Sequence, residues 1–169
     1  MKHLQFPLAV AVLLALSACA TVSPDADRSV VQTLAAGKTA GDAPQLGSGD
    51  AQANADAVAK LLQGPLSAEA AVRIALLNNP GLQGSMATLG ISDAQRVQAG
   101  SLPNPHFSIG RFVEGDKVEI ERALSFNIVG LITWPWRAKW QGQQHELAKL
   151  AAAQDVVRLA ADTRKAWVN

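Results

Sequence analysis

Apolar and polar side chains alternate along the eleven residues from Val118 to Ile128. A period of two places successive side chains on opposite faces of a strand, so this segment predicts a β-strand with one apolar face. Its length also matches the roughly 9 to 11 residues of a tilted strand that crosses a bilayer. Two environments fit: the half-buried strand of a soluble sheet, and a barrel strand between lipid and water. The apolar face comprises Val118, Ile120, Leu124, Phe126 and Ile128, interrupted by Arg122, and the other face comprises Glu119, Glu121, Ala123, Ser125 and Asn127.

The distribution of alanine separates this region from the rest of the chain. The sequence has 169 residues and 31 alanines, none of which lies between Ala99 and Ala123. Inside that gap residues 106–113 have an extended pattern, and Glu114-Gly115-Asp116-Lys117 supplies a polar turn. We therefore expect strands at about 106–113 and 118–128, joined as an antiparallel hairpin between alanine-rich helices.

A long helix is predicted on each side of the hairpin. Ser67 is placed to cap a helix over 67–100, which Pro80 would kink. Its apolar stripe runs through Leu82, Met86 and Leu89 and then includes Asp93. The second helix covers 137–169, where spacings of three and four form a heptad seam typical of a coiled coil. The fold class is thus mainly α with a β-hairpin. The seam comprises Leu147, Leu150, Gln154, Val157, Ala161, Arg164 and Val168.

The N-terminus has the three regions of an export signal. A charged start precedes an apolar stretch from Leu8 to Leu16, and small residues follow before Cys19. Leu16-Ser17-Ala18-Cys19 resembles a bacterial lipobox, in which cleavage before the cysteine makes it the lipidated first residue. A plain signal peptide cleaved nearby is the alternative. We expect residues 1–18 to be a lipoprotein signal peptide, Cys19 to carry the lipid (palmitate), and Ala20 to direct the chain to the outer membrane.

Residues 19–65 have the composition of a flexible linker. From Ala20 to about Ala59 the segment lacks aromatic residues and is dominated by alanine, glycine and small polar residues. Short helices near 30–36 and 56–62 are compatible with its periodicity. We expect a lipid-anchored linker that ends at the break formed by Gly64-Pro65.

Tryptophans cluster just beyond the predicted second strand. Trp134 and Trp136 flank a proline, and Trp140 follows. Indole rings in this position are typical of the aromatic belt at a membrane interface. They are equally typical of packing where a strand meets a helix, and both interpretations can hold together.

The chain has few residues arranged for catalysis. Its three histidines lack metal-ligand partners at helical spacing, and His145 with Glu146 is expected on a solvated helix face. Glu119 and Glu121 share a strand face, which a water-facing wall explains more simply than an acid–base pair. A net charge of +1 without basic clusters argues against nucleic-acid binding. We expect no enzyme activity, no metal and no cofactor.

Two motifs together resemble the TolC-type outer-membrane efflux family. The run from Ala71 to Leu82, containing Ala75-Leu76 and Asn79-Pro80, resembles the start of the family's first helix. Leu102-Pro103-Asn104-Pro105 matches the segment that leads into its first membrane strand. The resemblance covers residues 66–169, one helix–strand–strand–helix unit of a family built from two, so we expect an N-terminal fragment.

The resemblance implies a homotrimeric outer-membrane channel, with a β-barrel continued by a periplasmic α-barrel. Such a channel receives substrates from an inner-membrane pump through a periplasmic adaptor. In this interpretation the lipid-facing residues are Val118, Ile120, Leu124, Phe126 and Ile128. The lumen-facing residues are Glu119, Glu121, Ser125 and Asn127, and the interface aromatics are Trp134 and Trp136. Arg122 is expected to snorkel or lie near a rim. The alternative is a lipid-anchored periplasmic helical scaffold without channel activity.

Overall fold

The computed structural model describes residues 21–39, 44–48 and 50–169. The lipobox prediction, including Cys19, therefore lies outside the described residues. The described chain is mainly helical, with a two-stranded antiparallel hairpin, as the sequence predicts. Its elements are α1 (Arg28–Ala35), α2 (Ala51–Leu61), α3 (Ala68–Asn78), α4 (Pro80–Gly100), β1 (His106–Glu114), β2 (Lys117–Ser125) and α5 (Ile128–Val168).

Side-chain caps set the helix boundaries around Pro80. The Ser67 side chain accepts a hydrogen bond from the backbone N–H of Ala70, which starts α3 as predicted. Asn79 ends α3, and its side chain accepts from the N–H of Leu82 at 3.0 Å to start α4. Pro80 occupies the first turn of α4, where its missing N–H has no cost. The predicted break between two helices is thus confirmed.

The core forms where α3, α4 and α1 pack on the alanine-rich face of α5. Small residues on α5 let the neighbouring backbones approach closely, while larger side chains from the other elements fill the remaining space. The predicted seam of α5 differs from the observed buried face, because Leu147 and Leu150 are exposed. The core comprises Val31, Ala35, Leu46, Val72, Leu76, Leu82, Met86, Leu89, Ala152, Ala153, Val156 and Ala160.

The boundary between β2 and α5 corrects the sequence prediction. The strand ends at Ser125, and α5 starts at Ile128 instead of residue 137. Asn127 explains the difference, since its side chain accepts a hydrogen bond from the N–H of Gly130 at 2.8 Å and caps the helix. Pro135 lies inside α5 without ending it. The alternation at residues 126–128 therefore does not continue the strand.

The described part of residues 19–65 contains helices at the two places that the sequence allowed, near 30–36 and 56–62, and is not a flexible linker throughout. It contains α1 and α2, and the Asp50 side chain caps α2 through the N–H groups of Gln52 and Ala53. Val31 and Ala35 of α1 are fully buried against the core. The low aromatic content of the segment reflects helices that pack through small side chains.

Among the described residues, no helix combines the length and apolar character that crossing a membrane requires.

Two glycines of α5 should respond oppositely to alanine. A Cβ on Gly130 would lie 2.9 Å from Asn127 Cγ and 3.0 Å from Pro103 Cγ, whereas a Cβ on Gly142 would meet nothing within 4 Å. We expect Gly130→Ala to lower the free energy of unfolding by about 1–3 kcal/mol through overpacking. Gly142→Ala should raise it by about 0.5–1 kcal/mol. Denaturant titration measures both, and equal responses would contradict the close packing at Gly130.

Candidate functional site

The hairpin has one predominantly apolar face that is exposed. Directly opposed residues of an antiparallel pair point to the same face, so the register groups the paired side chains. The prediction that Val118, Ile120 and Leu124 share a face is confirmed by this register. The apolar face is formed by the pairs Phe107–Leu124, Ile109–Arg122, Arg111–Ile120 and Val113–Val118. Its six apolar side chains are all more than half exposed.

The opposite face is polar and carries every glutamate of the hairpin. Glu119 and Glu121 lie there, as predicted, opposite Phe112 and Gly110. Phe112 is the one large apolar residue on this face, and its ring lies over Gly110, where a Cβ would meet the ring at 2.8 Å. The remaining members are His106, Ser108, Glu114, Lys117, Ala123 and Ser125. Charge is thus segregated, with glutamates on the polar face and both arginines on the apolar face.

The two arginines of the apolar face lie on either side of the middle of the hairpin, one residue from it. Arg111 is three residues from the end of β1 at the turn, and Arg122 is three residues from the end of β2 at the base. Three residues span about 10 Å along a strand. A long arginine side chain can cover much of that distance with its aliphatic stem and place the guanidinium beyond the apolar zone.

Four predicted site residues lie outside the strand or have other contacts. Phe126 and Ile128 are exposed but follow the last residue of β2, and Asn127 caps α5, so these three are not members of the strand faces. The indole N–H of Trp134 donates to the carbonyl of Gly100 at 2.8 Å, which joins the end of α4 to the start of α5. Trp136, by contrast, is 68% exposed.

A second constellation, which the sequence prediction missed, is a buried polar network between three parts of the chain. His145 of α5 is 2% exposed, and its Nε2–H donates to Asp27 Oδ2 at 2.6 Å. Its Nδ1 lies 3.4 Å from Ser92 Oγ on α4. Asp93, fully buried on α4, has Oδ1 3.8 Å from the same Nε2. The prediction that His145 lies on a solvated face is therefore wrong.

Hydrogen bonds satisfy the buried Asp93 carboxylate on both oxygens. Oδ2 accepts from the backbone N–H of Ser23 at 2.6 Å, and Oδ1 accepts from Arg96 Nε at 2.8 Å and Nη2 at 2.7 Å. Burial raises the pKa of Asp93. A larger lowering of this pKa comes from the hydrogen bonds donated by Ser23 and Arg96 and from the charges of Arg96 and His145. The net pKa lies below 3.8. The network thus holds an ionised carboxylate inside the protein.

The turn that brings Asp27 to His145 has an uncommon backbone conformation. Ala26 and Asp27 have φ values of 50° and 56°, in the left-handed region, which aspartate tolerates better than alanine does. Asp25 stabilises the turn by accepting from the N–H groups of Asp27 and Ser29. Hydrogen bonds from the Ser29 side chain and backbone, with others from Ser23 and Asp27, lower the pKa of Asp25. The ionised Asp25 carboxylate therefore holds the turn in place.

The donor set of this network suits hydrogen bonding better than metal binding or nucleophile activation. Asp27, Asp93 and His145 offer donor atoms within 4.8 Å of one another, a combination that suits a divalent cation. A cation would have to displace Arg96 from Asp93 and break the His145–Asp27 hydrogen bond, so the residues present fit a hydrogen-bonded network better. Ser92 is 3.4 Å from the imidazole, longer than the contact of an activated nucleophile.

One signal in the sequence pointed to this network. Asp93 continues the apolar stripe of Leu82, Met86 and Leu89, and a carboxylate on a buried helix face requires partners. The identity of the distant partner was hidden, because Ser23 belongs to a segment with linker composition, 70 residues away in sequence.

The lowered pKa values make stability depend on acid pH. A carboxylate whose pKa is lower in the folded state stabilises the protein above its unfolded pKa and loses this effect as pH falls through the folded pKa. We expect the wild-type free energy of unfolding to fall as pH decreases below about 4, and Asp93→Asn to fall less steeply. Urea titrations between about pH 5 and pH 2 measure the slope. Asp155→Asn, on α5 but outside the network, is the matched control, and an equal flattening by both variants would contradict a specific role for Asp93.

No family model, curated protein or solved structure matches this chain. The candidate function therefore depends on the hairpin and on the network described above.

Proposed function

We propose that this chain is an outer-membrane channel subunit of a tripartite efflux system. In this proposal it is anchored by a lipid on Cys19, assembles as a homotrimer, and conducts substrates passively from an inner-membrane pump and its periplasmic adaptor. The order helix–strand–strand–helix and the motifs around Asn79-Pro80 and Pro103 support the proposal. Its central observation is the exposed, two-faced hairpin.

The hairpin has the side-chain distribution that a strand pair between lipid and water needs. Every residue of β1 and β2 is exposed except Gly110, which is half-buried. An apolar face of this size in water is uncommon for a monomer, and it marks an interaction or membrane surface. The glutamates on the opposite face suit a water-filled path.

The positions of Arg111 and Arg122 are compatible with such a surface. A cationic side chain on a lipid-facing strand costs about 2–4 kcal/mol at the bilayer midplane and little near an interface. Each arginine lies one residue from the middle of its nine-residue strand and three residues from the nearer end. In the proposed orientation each aliphatic stem directs its guanidinium towards the nearer interface, which lowers the cost of a position close to the middle.

The helical part also has a surface suited to another helix. Leu147 and Leu150 of the predicted seam are exposed, and an open groove of about 430 Å³ lies between the end of α1 and α5. Leu34, Leu150 and Val157 line it together with the stems of Lys38 and Arg158. In the proposed trimer, helices of the α-barrel cover this groove.

A second candidate, a lipid-anchored periplasmic scaffold, uses the same groove differently. The exposed leucines of α5 and the groove favour helix partners whether or not the hairpin enters a membrane. In this alternative the apolar hairpin face binds a protein. The two candidates differ in what happens to the hairpin when the lipid anchor is absent.

Membrane retention without the lipid distinguishes them. The chain would be exported with a cleavable non-lipoprotein signal and Cys19→Ser, and outer membranes would be washed with alkaline carbonate. For the channel we expect the protein to stay in the membrane as a heat-modifiable trimer. Release into the carbonate supernatant would contradict the channel and favour the scaffold.

Two lysine substitutions test the face assignment in the same assay. Ile120→Lys places a charge on the apolar face and should cost up to about 4 kcal/mol of insertion, so retention should fall sharply. Ala123→Lys places the same charge on the polar face and should be retained like the parent. Equal retention of both variants would contradict a lipid-facing role for Val118, Ile120 and Leu124.

Lipidation itself is tested by labelling. The wild-type chain should incorporate labelled palmitate in bacterial cells, and Cys19→Ser should not, because the acyl chains require the thiol and the amine of this residue. Labelling that persists in Cys19→Ser, or is absent from the wild type, would contradict the anchor.

A further inference from the structure

We propose that the first turns of α5, residues 128–140, bind a membrane surface that contains anionic phospholipids. The position of this surface beside the base of the hairpin rests on the proposed function. The binding face itself rests on the exposed side chains and the charges of α5, and these are the same whether or not the hairpin enters a membrane.

One side of these turns packs against α4 and the segment that follows it, and the other side is open and apolar. Gly130 is buried, and a Cβ there would meet Pro103 Cγ at 3.0 Å. Trp134 is half-buried, and its indole donates to Gly100 of α4. At 3.6 residues per turn, the large apolar residues of the open side fall within an arc of about 120°. This α5 face has five members, each more than 60% exposed: Ile128, Val129, Ile132, Trp136 and Trp140.

The residue types along the α5 face follow the order of the layers of a membrane surface. Ile128 and Ile132 come first, nearest to the strand, and their aliphatic side chains suit the acyl chains. Trp136 follows, and indole rings prefer the boundary of lipid and water because the ring is apolar while its N–H needs a polar partner. The first cations of the helix, Arg137 and Lys139, come next. The order of aliphatic, aromatic and cationic residues therefore matches the passage from acyl chains to headgroups.

Every formal charge from residue 122 to residue 145 is positive. The sequence has no aspartate or glutamate between Glu121 and Glu146, whereas Arg137 and Lys139 are exposed on α5. The one carboxylate of α4 is Asp93, which is buried in the network described above. Charge complementarity therefore favours anionic headgroups over a neutral surface.

Lys139 decides between a lipid surface and a protein partner. It lies inside the arc of the α5 face, between Ile128 and Ile132 when the helix is viewed along its axis. A helix that covered the face would bury this ammonium group, and residues 122–145 of a second copy offer no carboxylate to pair with it. At a membrane the aliphatic stem of Lys139 covers apolar surface, while its ammonium group binds phosphate and stays hydrated.

In the proposed function the α5 face continues the membrane surface of the hairpin. β2 ends at Ser125, and α5 begins at Ile128 after the cap formed by Asn127. The strands of the proposed channel lie in the outer membrane, so these first turns reach the headgroup layer of its periplasmic surface. Binding of phosphates by Arg137 and Lys139 then sets the depth of the hairpin base.

The first test measures binding to vesicles by the full chain without its lipid, which carries Cys19→Ser. Vesicles of phosphatidylcholine are compared with vesicles that also contain phosphatidylglycerol, and flotation separates bound from free protein. Each variant is made with and without Ile120→Lys, which keeps the hairpin out of the bilayer in the proposed function. Thermal unfolding checks that each variant is folded.

We expect tighter binding to the anionic vesicles. Arg137→Gln and Lys139→Gln should each weaken this binding about fivefold at low ionic strength. The matched control pair, Arg158→Gln and Lys165→Gln, removes the same two charges from exposed positions nearer the other end of α5. The control pair should leave binding nearly unchanged.

The second test identifies the side chains that contact lipid. The acylated full chain is reconstituted into anionic vesicles with brominated acyl chains, which quench the fluorescence of nearby indole rings. Trp136→Phe combined with Trp140→Phe should remove most of the quenching. Trp167→Phe is the matched control and should leave it, since this exposed indole at the far end of α5 donates to Leu66 instead.

Three results would overturn the proposal. These are equal binding to both kinds of vesicle, equal weakening by the two charge pairs, and quenching that persists when Trp136→Phe and Trp140→Phe are combined. A stable oligomer of the Ile120→Lys chain with these tryptophans shielded from acrylamide would assign the α5 face to a second copy, and would overturn the proposal as well.

The α5 face and the channel can fail separately. Binding of the Ile120→Lys chain to anionic vesicles supports the α5 face even if carbonate releases the parent chain and rejects the channel. Retention in carbonate without a preference for anionic vesicles supports the channel and rejects the α5 face.

Discussion

The antiparallel packing of α4 on α5 determines where every other feature of the molecule lies. Contacts run antiparallel along the pair, from Ser85 with Asp155 through Gln95 with Gln141 to Gly100 with Trp134. Met86 and Leu89 fill the space beside small residues of α5 such as Ala152 and Ala153. Because the hairpin connects the adjacent ends of the two helices, their register fixes its base. The same register brings Asp93 beside His145 and so creates the buried network.

The parts of this fold that sequence could predict are those encoded by neighbouring residues. Ser67 and Asn79 cap helices through bonds three residues away, and the strand pattern at Val118 to Leu124 needs only the period of two. The end of the strand was missed because the local cap formed by Asn127 prevailed over an alternation that continued by coincidence. The burial of His145 and of α1 was missed for another reason. Their burial depends on contacts between residues far apart in sequence, which no local period records.

The segregation of charge on the hairpin limits what its two faces can do. Glutamates confined to one face give that face a negative potential suited to water and cations. Arginines confined to the other face interrupt an otherwise apolar surface at two heights. A soluble sheet would cover this face with a helix, and buried guanidinium groups would then need acidic partners. Arginines on either side of the middle of a lipid-facing strand pair can instead extend along the strands towards the aqueous phase or the headgroups.

The buried network and the hairpin are connected through the geometry of α4. An ionised Asp93 inside the protein is costly unless every lone pair has a donor, and two of its donors come from Arg96 on the same helix. The third, the N–H of Ser23, comes from a segment whose own sequence favours no fixed structure. The helix pair thus supplies the acceptor that binds this segment. Since α4 leads directly into β1, the helix that holds the buried network also carries the base of the hairpin.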